Sequence, residues 1–341
     1  MSLLGLKVIL GFFPNTGKVE KRRKKLMGDY QQYKEYSQSE ELRRYEYLCR
    51  YLNSKEFKEM LDDPEADEQK INLLKQEFYE IQKSKALKHY FREKAAENRF
   101  APITSWNMKL EDDFTGDRLN SDTWITRYYR GEKALGRNYT LWGDMQCNTD
   151  GDNLSVADSV LSIETRPEKT NGISWHPLVG FIPCEFPYTS GIVSTAKAFR
   201  FRYGKIEAKM KVPANKAAYH AFWLASDKAL PQINIFTYEK GRFYMGNFWG
   251  KLKDTGGANS DVTAVTGAFA GKSYLFSLEW TKNRLTWTIN GVTIKTMKFG
   301  IPSEPLYIAM ASGVRKGRQT LSTPVKFEID WIRYYQSSYS F

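Results

Sequence analysis

Beyond Pro102 the chain alternates, and this alternation limits the folds open to it most. Val160-Leu-Ser-Ile-Glu-Thr165, Gly204-Lys-Ile-Glu-Ala-Lys-Met-Lys-Val212, Tyr274-Leu-Phe-Ser-Leu-Glu-Trp280, Arg284-Leu-Thr-Trp-Thr-Ile289 and Val325-Lys-Phe-Glu-Ile-Asp-Trp-Ile332 place apolar residues at every second position. Side chains on a strand point to opposite faces in turn, so period two marks strands with one buried face. Gly, Asn and Asp separate the runs, and Asn290-Gly291 between Ile289 and Val292 is a two-residue hairpin signal. Many short strands without alternating helices predict a mainly β body, a sandwich or jelly roll.

Residues 18–100 follow another rule. They are dense in Lys, Glu, Tyr and Leu and nearly free of Gly. A phrase recurs as Ser39-Glu-Glu-Leu42-Arg-Arg-Tyr45, Ser54-Lys-Glu-Phe57-Lys-Glu-Met60 and Ser84-Lys-Ala-Leu87-Lys-His-Tyr90, at one interval and then its double. A Ser hydroxyl opening each phrase can accept from the free amides of a first helical turn. The apolar residue three positions on and its i+3 neighbour share a helical face. The spacing predicts short helices broken near Asn53-Ser54, Asp63-Pro64 and Lys83-Ser84. Such a module suits a scaffold or docking surface for a protein assembly through residues 1–100. It equally suits an appendage whose aromatic stripe packs on itself.

The first 17 residues form an apolar arm. Met1 to Phe13 is too short for the roughly 18 apolar residues of a spanning helix. Its basic cluster, Lys21-Arg22-Arg23-Lys24-Lys25, follows the apolar stretch, so neither a transmembrane span nor a secretory leader is expected. The arm suits docking into a partner, peripheral contact with a membrane surface, or packing on its own domain. The net charge of +12 is spread along the chain, without a phosphate loop or zinc-finger spacing, so nucleic acid is not favoured. Cys49, Cys147 and Cys184 are odd in number and widely spaced, and no disulfide framework follows from them. Three thiols and no leader favour a cytoplasmic or assembly-associated life over a secreted one.

Five ordered segments resemble glycoside hydrolase family 16, the laminarinase type. Leu110-Glu-Asp-Asp-Phe-Thr-Gly116 followed by Trp124 is similar to the opening of its catalytic domains. Phe201-Arg-Tyr-Gly-Lys-Ile-Glu-Ala-Lys-Met-Lys-Val-Pro213 and Ala221-Phe-Trp-Leu224 resemble two of its strands. Leu278-Glu-Trp280 with Trp287-Thr-Ile-Asn-Gly291, and Ile329-Asp-Trp-Ile-Arg-Tyr-Tyr-Gln336, resemble its late strands. The resemblance spans residues 105–337. It implies a concanavalin A-like jelly roll with a long polysaccharide cleft, preceded here by the α-helical region.

Active members of that family carry Glu-Ile-Asp-Ile-x-Glu, a nucleophile, a supporting acid and an acid/base. Retaining hydrolysis needs two carboxyl groups about 5–5.5 Å apart. Here the strand reads Pro231-Gln232-Ile233-Asn234-Ile235-Phe236-Thr237, so the three positions are Gln232, Asn234 and Thr237. Without the family's bulge the third would be Phe236. An amide neither attacks an anomeric carbon nor gives up a proton near neutral pH. Glu239 is the nearest substitute acid. The substituted strand reads as a cleft that binds β-glucan- or galactan-type polysaccharide without cutting it, or as a face reused for packing in an assembly such as a surface apparatus or phage particle. A third reading keeps glycosidase activity through relocated acids.

Sugar clefts set aromatic platforms beside amides. The resemblance places Trp142, Trp175, Trp223 and Trp249 near the cleft, with Asn153, Gln232, Asn234 and Asn247 as hydrogen-bonding partners. Trp280 and Trp331 are read as structural. No cofactor is required. Some family members hold a structural calcium, and Asp112 and Asp330, with Gly151 nearby, match positions of that site. Calcium takes six to eight oxygen ligands, so these supply only part of a set. His89, His176 and His220 show no metal or triad spacing and are read as structural.

Overall fold

The computed structural model describes residues 13–228, 230–250, 259–317 and 320–338. The chain divides into two compact units, Glu20–Ser105 and a second that joins residues up to Val19 to Trp106 onward.

Helices span Thr16–Ser37, of which the part from Glu20 onward belongs to the helical unit, and Glu40–Tyr51, Lys55–Asp62, Glu68–Lys83 and Lys85–Ala95 within that unit. Ser39, Ser54 and Ser84 each accept from the amide three residues on, Leu42, Phe57 and Leu87, at 3.1 Å. Those three apolar residues are buried. The aromatic stripe packs on itself: Tyr33 stacks on Tyr90 at 5.4 Å and on Phe100 at 5.6 Å, and Tyr45 stacks on Phe78 at 5.4 Å. Arg44 grips Glu77 with two bonds of 2.7 and 2.6 Å, which holds the Glu77 carboxyl below its ordinary range. Among the described residues no helix is long and apolar enough to cross a membrane.

The second unit is a jelly-roll-like sandwich of two large antiparallel sheets. One runs Val292–Met297, Leu285–Ile289, Ser273–Trp280, Gly204–Lys211, Val325–Ser337, Val160–Thr165, Leu154–Ala157, with Trp106–Asp112 also paired to Val325–Ser337. The other, six-stranded, runs Asn259–Thr266, Arg242–Trp249, Gln232–Glu239, Ala218–Ala225, Tyr307–Val314, Ile192–Ser194. The alternating apolar residues meet between them, where Phe222, Phe236, Phe243, Phe276, Trp280, Trp287 and Phe327 are fully buried. Phe236 of one sheet lies 4.3 Å from Phe276 of the other. The predicted hairpin forms with φ of +49° at Asn290 and +76° at Gly291, the two left-handed residues its turn requires. A smaller three-stranded sheet runs Thr140–Leu141, Thr170–His176, Gly180–Phe186.

Candidate functional site

The strand Gln232–Glu239 carries one extra residue. Phe222 pairs with Phe236 and Trp223 with Asn234, so Ile235 has no partner on that side. On the other side Asn234 pairs with Gly246 and Thr237 with Tyr244, two residues against one. This bulge sends both Ile235 and Phe236 into the core and returns Thr237 to the outer face. Gln232, Asn234, Thr237 and Glu239 therefore share the face turned away from the core, and Phe236 does not replace Thr237.

Asn234 is 5% exposed, and its groups are engaged. Its amide donates to the Tyr244 carbonyl at 2.9 Å, and its Oδ1 accepts from the Thr237 hydroxyl at 3.2 Å. Gly246 beside it has no room for a Cβ, which would meet the backbone of Asp261 and Val262. Trp223, half-buried, packs beside Asn234 with Ala196, Ala225, Tyr307 and Ala309.

Three residues that no sequence motif singles out, Asp144, Gln146 and Tyr219, meet at the Glu239 end. Tyr219, on the outer face of its strand, donates to Asp144 Oδ2 at 2.8 Å. Gln146 donates to the same oxygen at 3.3 Å, while its own Oε1 accepts from the Val314 amide at 2.8 Å. Gln146 fits because Gly313 has no side chain in that space. Burial pushes the Asp144 carboxyl up, the Glu239 charge adds to this, and Tyr219, Arg315 and Gln146 oppose it. Burial and the Asp144 charge drive the Tyr219 hydroxyl well above its ordinary range, so it stays protonated and donating. Asp144 and Tyr219 lie 75 positions apart, and no local pattern links them.

At the Gln232 end the Arg200 guanidinium lies over Tyr129 at 4.9 Å and Tyr307 at 5.2 Å. A cavity of about 600 Å³ opens there, lined by Tyr129, Glu132, Lys133, Lys197, Arg200 and Asp227. From the small sheet, Trp175 packs edge-on to Phe181 at 5.0 Å, with Arg130 4.0 Å from its ring centre. Phe181 leads at 5.2 Å to Tyr139, and Tyr139 at 5.0 Å to Tyr128, whose hydroxyl feels the charge of Asp144. Trp142 is 56% exposed and meets the His176 ring at 4.2 Å.

Three expected site residues are placed elsewhere. Asn247 and Trp249 follow Phe243 and Met245 on the core-facing parity of their strand. Asn247 is buried and donates to the Gly300 carbonyl at 2.6 Å, while Trp249 covers Gly300 and meets Phe299 at 5.7 Å. Asn153 is buried, bonded to Thr149, Thr189 and the Glu164 carbonyl. The calcium positions also do not fit that ion. Both Asp112 oxygens are taken, by the Phe114 amide at 2.9 Å and the Trp124 indole at 2.7 Å, and the Lys209 ammonium stands 3.6 Å from Asp330. Among the described residues no three His, Cys, Asp or Glu groups gather as metal ligands.

The model of the glycosyl hydrolases family 16 matches residues 137–333, more than half of the chain. The chain is 22% identical over 251 residues to the endo-1,3-1,4-beta-glycanase EglC of Rhizobium meliloti, covering 66% of this chain and 51% of that one. It is 25% identical over 139 residues to a beta-1,3-glucan-binding protein of Penaeus monodon, covering 33% of this chain and 36% of the relative. It thus spans about half or less of the length of these relatives. Among solved structures, the catalytic domain of an endo-1,3-beta-glucanase (laminarinase) from Thermotoga petrophila superposes with a TM-score of 0.54 at 19% identity, over 69% of this chain and 99% of that one. The ordered strands, the bulged signature strand and the family model agree: the chain belongs to the glycosyl hydrolases of family 16.

Proposed function

We propose that the outer face of the six-stranded sheet binds a β-1,3-glucan and does not cleave it. The observation that carries this reading is the set of side chains on the bulged strand. The positions that the family resemblance assigns to nucleophile, supporting acid and acid/base hold Gln232, Asn234 and Thr237, and the bulge turns all three to one face. Two amides and a hydroxyl cannot form the glycosyl ester or protonate the leaving oxygen. Gln232 and Thr237, both partly exposed, can hydrogen-bond sugar hydroxyls, with Asn234 buried behind them holding the Thr237 hydroxyl, and Trp223 offers an apolar ring face. The relative from Penaeus monodon, named for glucan binding, supports this assignment.

Full-length protein titrated with laminarin oligosaccharides is expected to bind and to release no reducing ends. Trp223→Ala should weaken binding by about tenfold, the scale of a lost aromatic contact. Unchanged binding in Trp223→Ala would place the glucan elsewhere.

One observation favours a second reading, hydrolysis through relocated acids. Asp144, whose carboxyl burial pushes up, lies against Tyr219, and Tyr219 lies across from Glu239, one step beyond the His220–Tyr238 pair. Reducing-end release that disappears in both Asp144→Asn and Glu239→Gln would establish that reading and end the first.

A further inference from the structure

We propose that Cys147 and Cys184 form a reversible disulfide. The two lie on different strands, far apart in sequence, and the fold joins them through a glycine. Gly172 sits on the middle strand of the small sheet, directly paired with Cys184 on the neighbouring strand. Residues paired in this way hold their side chains on one face, with Cβ atoms about 4.5–5.5 Å apart. Gly172 has no side chain, and the sulfur of Cys147 fills the space its Cβ would occupy. Phe186, two residues beyond Cys184 and on the same face, lies against that space too, which fixes the side to which Cys184 points. Cys147 thus acts as the missing cross-strand partner of Cys184. A disulfide needs roughly 3.5–4.5 Å between Cβ atoms, so the bond requires rotation of the Cys184 side chain toward that partner and an approach of the two Cβ atoms to that separation.

Both thiols are half-buried. Burial and the Asp150 charge push the Cys147 thiol up, which disfavours its thiolate and assigns the first attack to Cys184, on the sheet's outer strand. With a disulfide oxidant such as oxidised glutathione, the Cys184 thiolate attacks one glutathione sulfur and expels the other as a thiolate. Cys147, on losing its proton, then attacks the Cys184 sulfur of the mixed disulfide and expels the second glutathione. The protein loses two electrons and two protons, and one oxidised glutathione becomes two reduced ones. The product ties the Gln146–Asn148 strand, whose Gln146 holds Asp144, to the Gly180–Phe186 strand.

The test does not depend on what the outer face binds. The full chain is treated with oxidised glutathione and digested without reduction. A single linked peptide pair containing Cys147 and Cys184 is expected, with Cys49 outside it. The oxidised protein should unfold on the order of 5 °C higher than the reduced one. The rise should be absent in Cys184→Ser treated alike. Thiols that stay free, a separate glutathione on each cysteine, or a link through Cys49 would each overturn the proposal.

Discussion

At the scale of single residues, His220 sets an acid limit on the sandwich. It is fully buried on the core-facing parity of its strand, packed on Phe327 at 5.4 Å. Its Nδ1 meets the Ser312 hydroxyl at 2.9 Å, and Ser312 meets Thr165 at 2.7 Å. Burial drags its pKa down to about 3. The folded value lies below the unfolded one, so the folded state refuses a proton that the unfolded chain accepts. The stability from a neutral His220 is therefore complete above about pH 6.5 and drains as pH falls towards 3, at up to about 1.4 kcal/mol per pH unit. From pH 6.5 to pH 5 the loss should reach about 2 kcal/mol. Urea midpoints across that window should fall steeply in the natural protein and more gently in His220→Gln. Equal slopes would remove His220 as the cause. The Ser–His pair here is no nucleophilic dyad, because neither side chain reaches solvent. A structural role for His220 could be read from its strand; its hydroxyl partner Ser312 and the Thr165 behind it, brought from two other strands, could not.

At the scale of elements, the local grammar carried much of the structure. Ser54 shows why: its hydroxyl accepts from Phe57, which starts an eight-residue helix and points Phe57 into the unit. A cap depends on residues three apart, and short spacings survive in the sequence. Ser54→Ala should lower the stability of the helical unit by about 1 kcal/mol, read from its denaturant midpoint by circular dichroism. The bulge was also visible as a break in alternation, with Ile235 and Phe236 adjacent. The misplacement of Asn247 and Trp249 had a local remedy, since counting by twos from Phe243 and Met245 turns both inward. What stayed hidden was non-local. Asn153 is satisfied by groups 4, 11 and 36 positions away, and Tyr219 reaches Asp144 across 75. No periodicity encodes such meetings, because they depend on which strands become neighbours.

At the scale of the whole molecule, the chain divides into two units, Glu20–Ser105 and the sandwich. Residues 1–12 lie outside the described residues, and residues from Phe13 to Val19 belong with the sandwich. Phe13 packs edge-on to Phe269 at 6.3 Å and to Tyr274 at 6.2 Å. The Asn290 amide of the hairpin turn donates to the Pro14 carbonyl at 2.8 Å, and the Thr16 hydroxyl donates to the Ser273 carbonyl at 2.6 Å. Of the roles open to the arm, its described part takes the one that packs on its own domain. Phe13→Ala should cost the sandwich about 1–2 kcal/mol, because the ring is only partly buried. Thr16→Val keeps the shape, removes one hydrogen bond and should cost about 1 kcal/mol. The two positions hold one segment, so losing either loosens the other. The double variant should fall short of the sum by about 0.5–1 kcal/mol. Strict additivity in denaturant midpoints would mean that the two contacts act separately and that the segment does not dock as a unit. A shortfall would make the segment before the helices a structural part of the sandwich that follows them.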